Sequence, residues 1–249
     1  YCYYQMNNPI NLQKMENHSL QCNLTLLLVR SLTIMSVITI SPALPQMIIV
    51  FSKVNHANIL VKLALTLPSL IIALFAPIAG RLIDRHGRVK MLNIALVIYA
   101  IAGSSGYFLD NLYLILLSRA VLGLAVGASM TIVITLIADY FDGKERLKFV
   151  GTQIAFMSLG GILFIGLGGI LAGYSWKYPF LIYLFALLVL PLSIGFLKEP
   201  KTVKPSISQK ALVSVPKIIW LLFINNMVIW LIYFFIPVQL PFHLKGFCV

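Results

Sequence analysis

Gly80-Arg81-Leu82-Ile83-Asp84-Arg85-His86-Gly87-Arg88-Val89-Lys90 is the stretch whose reading decides the fold class. Six of its eleven residues are ionisable, whereas residues 59–80 carry only Lys62 and residues 91–107 carry no charge. Two apolar runs of about 20 residues, joined by a segment too short to hold a domain, form a membrane hairpin with a basic turn. A soluble helical hairpin would need a polar face on each helix, and neither run has one.

Working outward, composition gives the same class. Hydrophobic residues make up 60% of the chain, charged residues 10%, and the mean hydropathy is +0.94; a soluble domain carries about 25% charge. Seven segments reach or approach the roughly 20 apolar residues that cross a bilayer: 24–50, 59–78, 91–107, 112–138, 149–173, 180–197 and 218–240. The expected fold is an all-α polytopic membrane protein. Residues 1–23 form a polar tail, 24–197 a six-helix bundle, 198–217 a basic linker, and 218–249 the first helix of a further bundle. The net charge of +12 could suggest nucleic acid, but the spans leave no soluble domain to present a basic face.

The charge follows the loops instead. Those after spans two, four and six hold Arg81, Arg85, Arg88 and Lys90, then Lys144, Arg146 and Lys148, then Lys198, Lys201, Lys204, Lys210 and Lys217; those after spans one, three and five hold only Lys53 and Lys177, with Lys62 just inside the start of span two. The positive-inside rule then puts the N-terminus and the basic loops in the cytoplasm.

Inside the spans, Pro42 and Pro45 cannot both sit in an ideal helix, since each lacks an N–H and crowds the preceding turn. An opened end is expected there, either buried against neighbours or lining a cavity with Gln46, unless the prolines simply end the helix at the surface. Gly123 with Gly127, and Gly169 with Gly173, are small-xxx-small pairs that suit close helix packing in lipid. Arg119 lies about seven residues, roughly 10 Å, into the fourth span. An arginine there faces a bundle interior or a water-filled cavity, with snorkelling to the interface as the alternative. No carboxylate lies inside an apolar run, so its partner is a backbone carbonyl, water, a residue beyond Val249 or an anionic substrate. Arg30 reads as a cytoplasmic-flank arginine. Asn225 and Asn226 in the seventh span are candidate cavity donors or interhelical partners.

These residues carry a resemblance. Gly80-x-Leu82-Ile83-Asp84-Arg85-x-Gly87-Arg88-x-Lys90 is similar to the signature between the second and third helices of the major facilitator superfamily of transporters. Arg119-x-x-Leu122-Gly123-x-x-x-Gly127 resembles its fourth-helix signature, with Leu122 where a polar residue is usual. Asp139-Tyr140-Phe141 with Glu145-Arg146 resembles the loop that follows, and Trp176-Lys177-Tyr178-Pro179-Phe180 the entry to the sixth helix. The resemblance implies a twelve-helix carrier of two six-helix halves around a central cavity, with internal 3+3 repeats and rocking of the halves. It implies that Gly80, Asp84, Arg85, Gly87, Arg88, Asp139 and Arg146 form a conformational-switch loop and latch. A purely topological role does not account for Asp84, because acids count little in the positive-inside rule.

Pro42-Ala43-Leu44-Pro45 resembles the drug- and sugar-efflux branch. Two departures stand out: the first span has no acid before that motif, and Phe164–Gly169 lacks the Gly-Pro of the drug antiporters. The implied function is secondary active export of a small organic solute, drug-like or sugar-like, across a bacterial plasma membrane. No bound cofactor is called for, and coupling to a proton gradient is left open by the missing acid. The partners are the solute, the lipid bilayer and a C-terminal half. Seven spans of an expected twelve read as a fragment, with a half-size protein that assembles in two copies as the alternative, and the opening on Tyr1 reads either as a processed or partial chain or as sequence upstream of a true start at Met6 or Met15.

A membrane enzyme would show a catalytic cluster, yet His18, His56, His86 and His243 lie on separate segments without ligand spacing. Cys2, Cys22 and Cys248 show no pairing pattern. A membrane sensor or scaffold with the same fold is the alternative to a transporter.

Overall fold

The computed structural model describes the backbone of residues 9–199 and, from 20 onward, their side chains other than those of 76, 77, 81, 84 and 85; further on it describes positions 221, 224, 225, 227–229 and 232. In the first of its two units, which ends at Glu199, every described element is helical. The order is α1 (Pro9–Ile38), a 3-10 turn (Ser41–Ala43), α2 (Leu44–Val50), α3 (Ala57–His86), α4 (Arg88–Ser104), a 3-10 turn (Ser105–Tyr107), α5 (Leu112–Tyr140), α6 (Gly143–Tyr174), a 3-10 segment (Tyr178–Leu184) and α7 (Phe185–Phe196). Six stretches of the described residues are long and apolar enough to cross a membrane. The first span joins α1 to α2, and the sixth joins the last 3-10 segment to α7.

The second unit begins at Pro200, and its described positions, Asn225 among them, are helical. The linker lysines Lys201, Lys204, Lys210 and Lys217, most of the seventh span and Asn226 lie outside the described residues.

Two expectations need correction. The tail 1–23 is helical from Pro9 on, and proline suits a first helical position because its missing N–H is one the helix would leave free anyway. The polar stretch 80–90 is not a loop either. α3 continues to His86 and α4 starts at Arg88, so the connection is Gly87 alone, with φ 90° and ψ 145°. A side chain at that φ would be strained, which is why a glycine stands there. Arginine and lysine are good helix formers; the charges mark where α3 leaves the apolar layer, while Gly87 marks where the helix stops.

The first span is the most buried of the six, at 61% of its apolar window, followed by the third and fourth at 56% each, against 22% for the second and 17% for the fifth. Its break was legible in the prolines. α1 stops at Ile38, Ser41–Ala43 form a 3-10 turn, and α2 restarts at Leu44. Thr39, Ile40, Ala43 and Leu44 are fully buried, so the break lies against neighbours and does not end the span at the surface.

Glycines set the closest approaches. α5 packs along α3, where a Cβ on Gly123 would stand 2.8 Å from the Pro68 carbonyl oxygen, and one on Gly127 would make an ordinary 3.4 Å contact with Ile72. α6 meets α1 through Gly160, Gly161 and Gly168, where a Cβ would press on Ser31, on Ile34 and Ile38, and on the Thr39 carbonyl. Gly169 and Gly173 do not pack this way: a Cβ on either would meet nothing within 4 Å. At 100° per residue, both point away from the face that Gly161 and Gly168 share. Spacing identified a small-residue pair but not which side of α6 faces a neighbour.

Candidate functional site

Two polar constellations stand out in the first unit, one at the end of the bundle where Gly87 turns and one in its interior. At the basic end, Gly87 directs Arg88 into the first turn of α4, and α5 delivers Asp139 in its last turn. Their side chains form an ion pair, part-exposed at 19% and 29%. Glu199, just past α7, meets the same turn: its carboxylate accepts from the Arg88 N–H, and its Oε2 accepts from the Val89 N–H at 2.8 Å. These amides belong to the first turn of a helix, which has no internal acceptors and where an anion is favoured by the helix dipole. A Cβ on Gly87 would lie 3.3 Å from that carboxyl group, a second reason for glycine there. Next to it, the Tyr140 hydroxyl donates to the Lys198 carbonyl, and Phe141 stacks on Phe149 with centroids 4.5 Å apart.

Of the expected latch, Asp84 and Arg85 occupy the last turn of α3, with side chains outside the described ones. Arg146 is exposed near the start of α6, and Gly80 has open space around it. Asp139 takes Arg88 as its partner. Glu199 was missed by sequence reasoning, although a signal was present. Like Asp84, it is an acid in a basic stretch whose topological role does not need it.

The interior constellation centres on Arg119, whose side chain is fully buried. Its Nη2 donates to the Gly103 carbonyl at 2.8 Å. The guanidinium carbon lies 4.8 Å from the centroids of both Phe180 and Tyr183, so two ring faces meet the cation, and such contacts exceed about 2 kcal/mol when desolvated. Nε and Nη1 have no hydrogen-bond acceptor. The rings come this close because α4 is glycine where they pass: a Cβ on Gly103 would overlap Tyr183, and one on Gly106 would overlap Phe180. Arg119 therefore turns toward the third and sixth spans. It is buried in the bundle and does not snorkel.

Gln46, expected beside a cavity, donates from Nε2 to the Ala172 carbonyl at 2.8 Å and ties α2 to α6. Arg30 also carries buried Nε and Nη1 atoms without an acceptor, which a plain flanking arginine would not. Among the described residues no group of His, Cys, Asp and Glu could hold a metal ion.

The glycine turn with its arginine–aspartate pair and the arginine of the fourth span thus occupy defined places in one six-span bundle. The sequence profile of the Major Facilitator Superfamily matches residues 26–248. The chain belongs to the major facilitator superfamily. Curated relatives include Multidrug resistance protein 1 of Bacillus subtilis (strain 168), 35% identical over 127 residues that cover 51% of this chain and 33% of that protein. Quinolone resistance protein NorA of Staphylococcus aureus is 29% identical over 161 residues, covering 64% of this chain and 42% of NorA. The chain thus spans less than half the length of these curated relatives. Among solved structures, the superfamily's proton:xylose symporter XylE, bound to 6-bromo-6-deoxy-D-glucose, superposes with a TM-score of 0.67 at 19% identity, over 74% of this chain and 46% of XylE. A bacterial homologue of the human lysosomal transporter Spinster gives 0.62 at 20% identity, over 72% and 44%. At these identities the superpositions speak to the fold.

Proposed function

We propose that this chain is the N-terminal part of a secondary active transporter that exports a small organic solute by alternating access, with the basic end on the cytoplasmic side of a bacterial plasma membrane. The observation that carries this reading is the cluster at the Gly87 turn. The Arg88–Asp139 pair is part-exposed, and pairs of that kind are worth about 0–1 kcal/mol. Such a contact is weak enough to break and re-form in each cycle, which a latch requires. Asp84 and Arg85 share the turn, and Arg146 sits at the start of the neighbouring helix. The multidrug- and quinolone-resistance relatives favour a drug-like solute. Its partners are that solute, the bilayer and a C-terminal half. No bound cofactor enters the cycle, and a proton gradient is the energy source to be tested.

Transport is measured with the full-length protein in everted membrane vesicles, using a fluorescent drug-like dye and an imposed proton gradient. Dye movement into everted vesicles that rises with the gradient is the expected result. Asp84→Asn is expected to abolish most of that movement at normal abundance. A parallel loss of abundance would make the turn a folding element and remove the latch. Orientation is read separately: single cysteines at Lys144 and Lys204 stay shielded from an impermeant thiol reagent in intact cells, and one at Asn111 labels. Labelling at Lys144 from outside would falsify the orientation.

A further inference from the structure

The first span is broken where it is most deeply buried, so the carbonyls at the break need partners that water cannot supply. Pro42 has no N–H to offer the Ile38 carbonyl. The Thr39 N–H still reaches Met35 at 3.4 Å, but the next bond of the ladder, from Ile40 N–H to the Ser36 carbonyl, is not made. Thr39 and Ile40 are fully buried. An unsatisfied backbone group at such depth is strongly disfavoured.

Tyr183 supplies the missing donor. Its hydroxyl donates to the Ser36 carbonyl at 3.1 Å, from the sixth span to the first. The Tyr99 hydroxyl donates to the Leu32 carbonyl, one turn earlier, at 2.8 Å. These two bonds are not equivalent. Leu32 lies in the regular part of α1, where the helix's own ladder already serves its carbonyl, whereas Ser36 sits where that ladder has stopped.

The Tyr183 ring is also held on three sides. Gly103 lies flush beneath it, the Arg119 guanidinium stands 4.8 Å from its centroid, and Tyr99 packs at 5.8 Å between centroids. The far side of the break is fixed by a different helix: the Thr39 carbonyl rests on Gly168, and Gln46 bonds to the Ala172 carbonyl. The broken segment therefore lies between its α6 contacts and the Tyr183 hydroxyl, while the Thr39 hydroxyl donates back to the Met35 carbonyl at 2.7 Å.

We propose that Tyr183 is a positioning residue that holds the first-span break closed, with Arg119 as the clamp that fixes its ring, and that the break is a hinge this hydroxyl controls. The inference concerns the described bundle and does not depend on the transport reading.

Hydrogen–deuterium exchange of the full 249-residue chain in lipid nanodiscs tests it. Tyr183→Phe removes the hydroxyl and keeps the ring. It is expected to speed exchange of the amides at 39–41 and 43–44 by about three- to tenfold, the range of one buried hydrogen bond. Peptides from α3 and α5 should remain at the wild-type rate. Tyr99→Phe, an equally conservative change next to it, is expected to leave the break near wild type. Arg119→Met, which removes the clamp but no hydrogen bond to the first span, should give an intermediate acceleration confined to the same peptide. Wild-type exchange at the break in Tyr183→Phe would overturn the proposal. So would equal effects of the two tyrosine changes, or acceleration spread evenly over all spans.

Discussion

The basic end and the interior cluster use the same chemistry to opposite effect. Arg88 and Arg119 are both arginines on helices of one bundle, but Arg88 meets a carboxylate at a part-exposed helix end, and Arg119 meets two rings and a carbonyl with no water access. Near the surface, solvent screens a charge and holds the cost of breaking its pair to a fraction of a kcal/mol, so the contact is reversible. In the interior, moving the guanidinium would expose an unpaired charge to a low-dielectric core, so its surroundings are held fixed. Placement, more than residue type, decides whether an arginine's contact costs little or much to break.

The interior half of this comparison breaks most readily at the glycines. Gly103→Ala and Gly106→Ala put a methyl group into the Tyr183 and Phe180 rings, and overpacking of that kind costs about 1–3 kcal/mol or more. We expect a large fall in the thermal midpoint of the detergent-solubilised protein. Gly169→Ala and Gly173→Ala, with open space around the new methyl group, should stay within about 0.5 kcal/mol of wild type. Equal losses at all four positions would show that the rings do not rest on α4.

Arg119 sharpens the comparison next. Lysine keeps the charge but loses the planar fork that faces two rings and a carbonyl together, so Arg119→Lys should lower stability by about 2 kcal/mol. Arg119→Met removes a buried cation that has unsatisfied donors, and such replacements are often neutral or stabilising. A stable Arg119→Met protein that fails to transport in its full-length form would mean that the cation is retained for function. Equal destabilisation by methionine and lysine would make it part of the scaffold alone.

Smaller effects are expected at the basic end. Asp139→Asn should change unfolding stability by at most about 1 kcal/mol, with the difference shrinking as salt is raised. A loss of several kcal/mol, insensitive to salt, would place this pair with the interior cluster. At the same exposed end, Glu199→Gln keeps only one of the two oxygens that accept from α4 amides, and it also gives up the interaction of charge with the helix dipole, about 0.3–1 kcal/mol. Exchange of the Arg88 and Val89 amides should then rise modestly, and unchanged exchange would show that Glu199 does not cap the helix.

Sequence alone determined the class, the six described spans and the first-span break, because each rests on a local property. Apolar run length sets whether a segment can cross a bilayer, and two prolines three apart remove donors wherever the helix packs. It also identified the Gly87 stretch and Arg119 as exceptional, since charge in or beside a span is costly. Tertiary structure decided what these residues touch. The partner of Arg119 is a carbonyl sixteen residues back and two rings some sixty residues ahead; Asp139 pairs with Arg88 and Glu199 caps α4. It also selected which glycines of α6 meet a neighbour and gave Tyr183 to the Ser36 carbonyl. Those choices depend on how each helix is rotated about its own axis. In lipid every face of a span is apolar enough to be buried or exposed, so hydrophobic patterning fixes where a helix runs and leaves its rotation to packing.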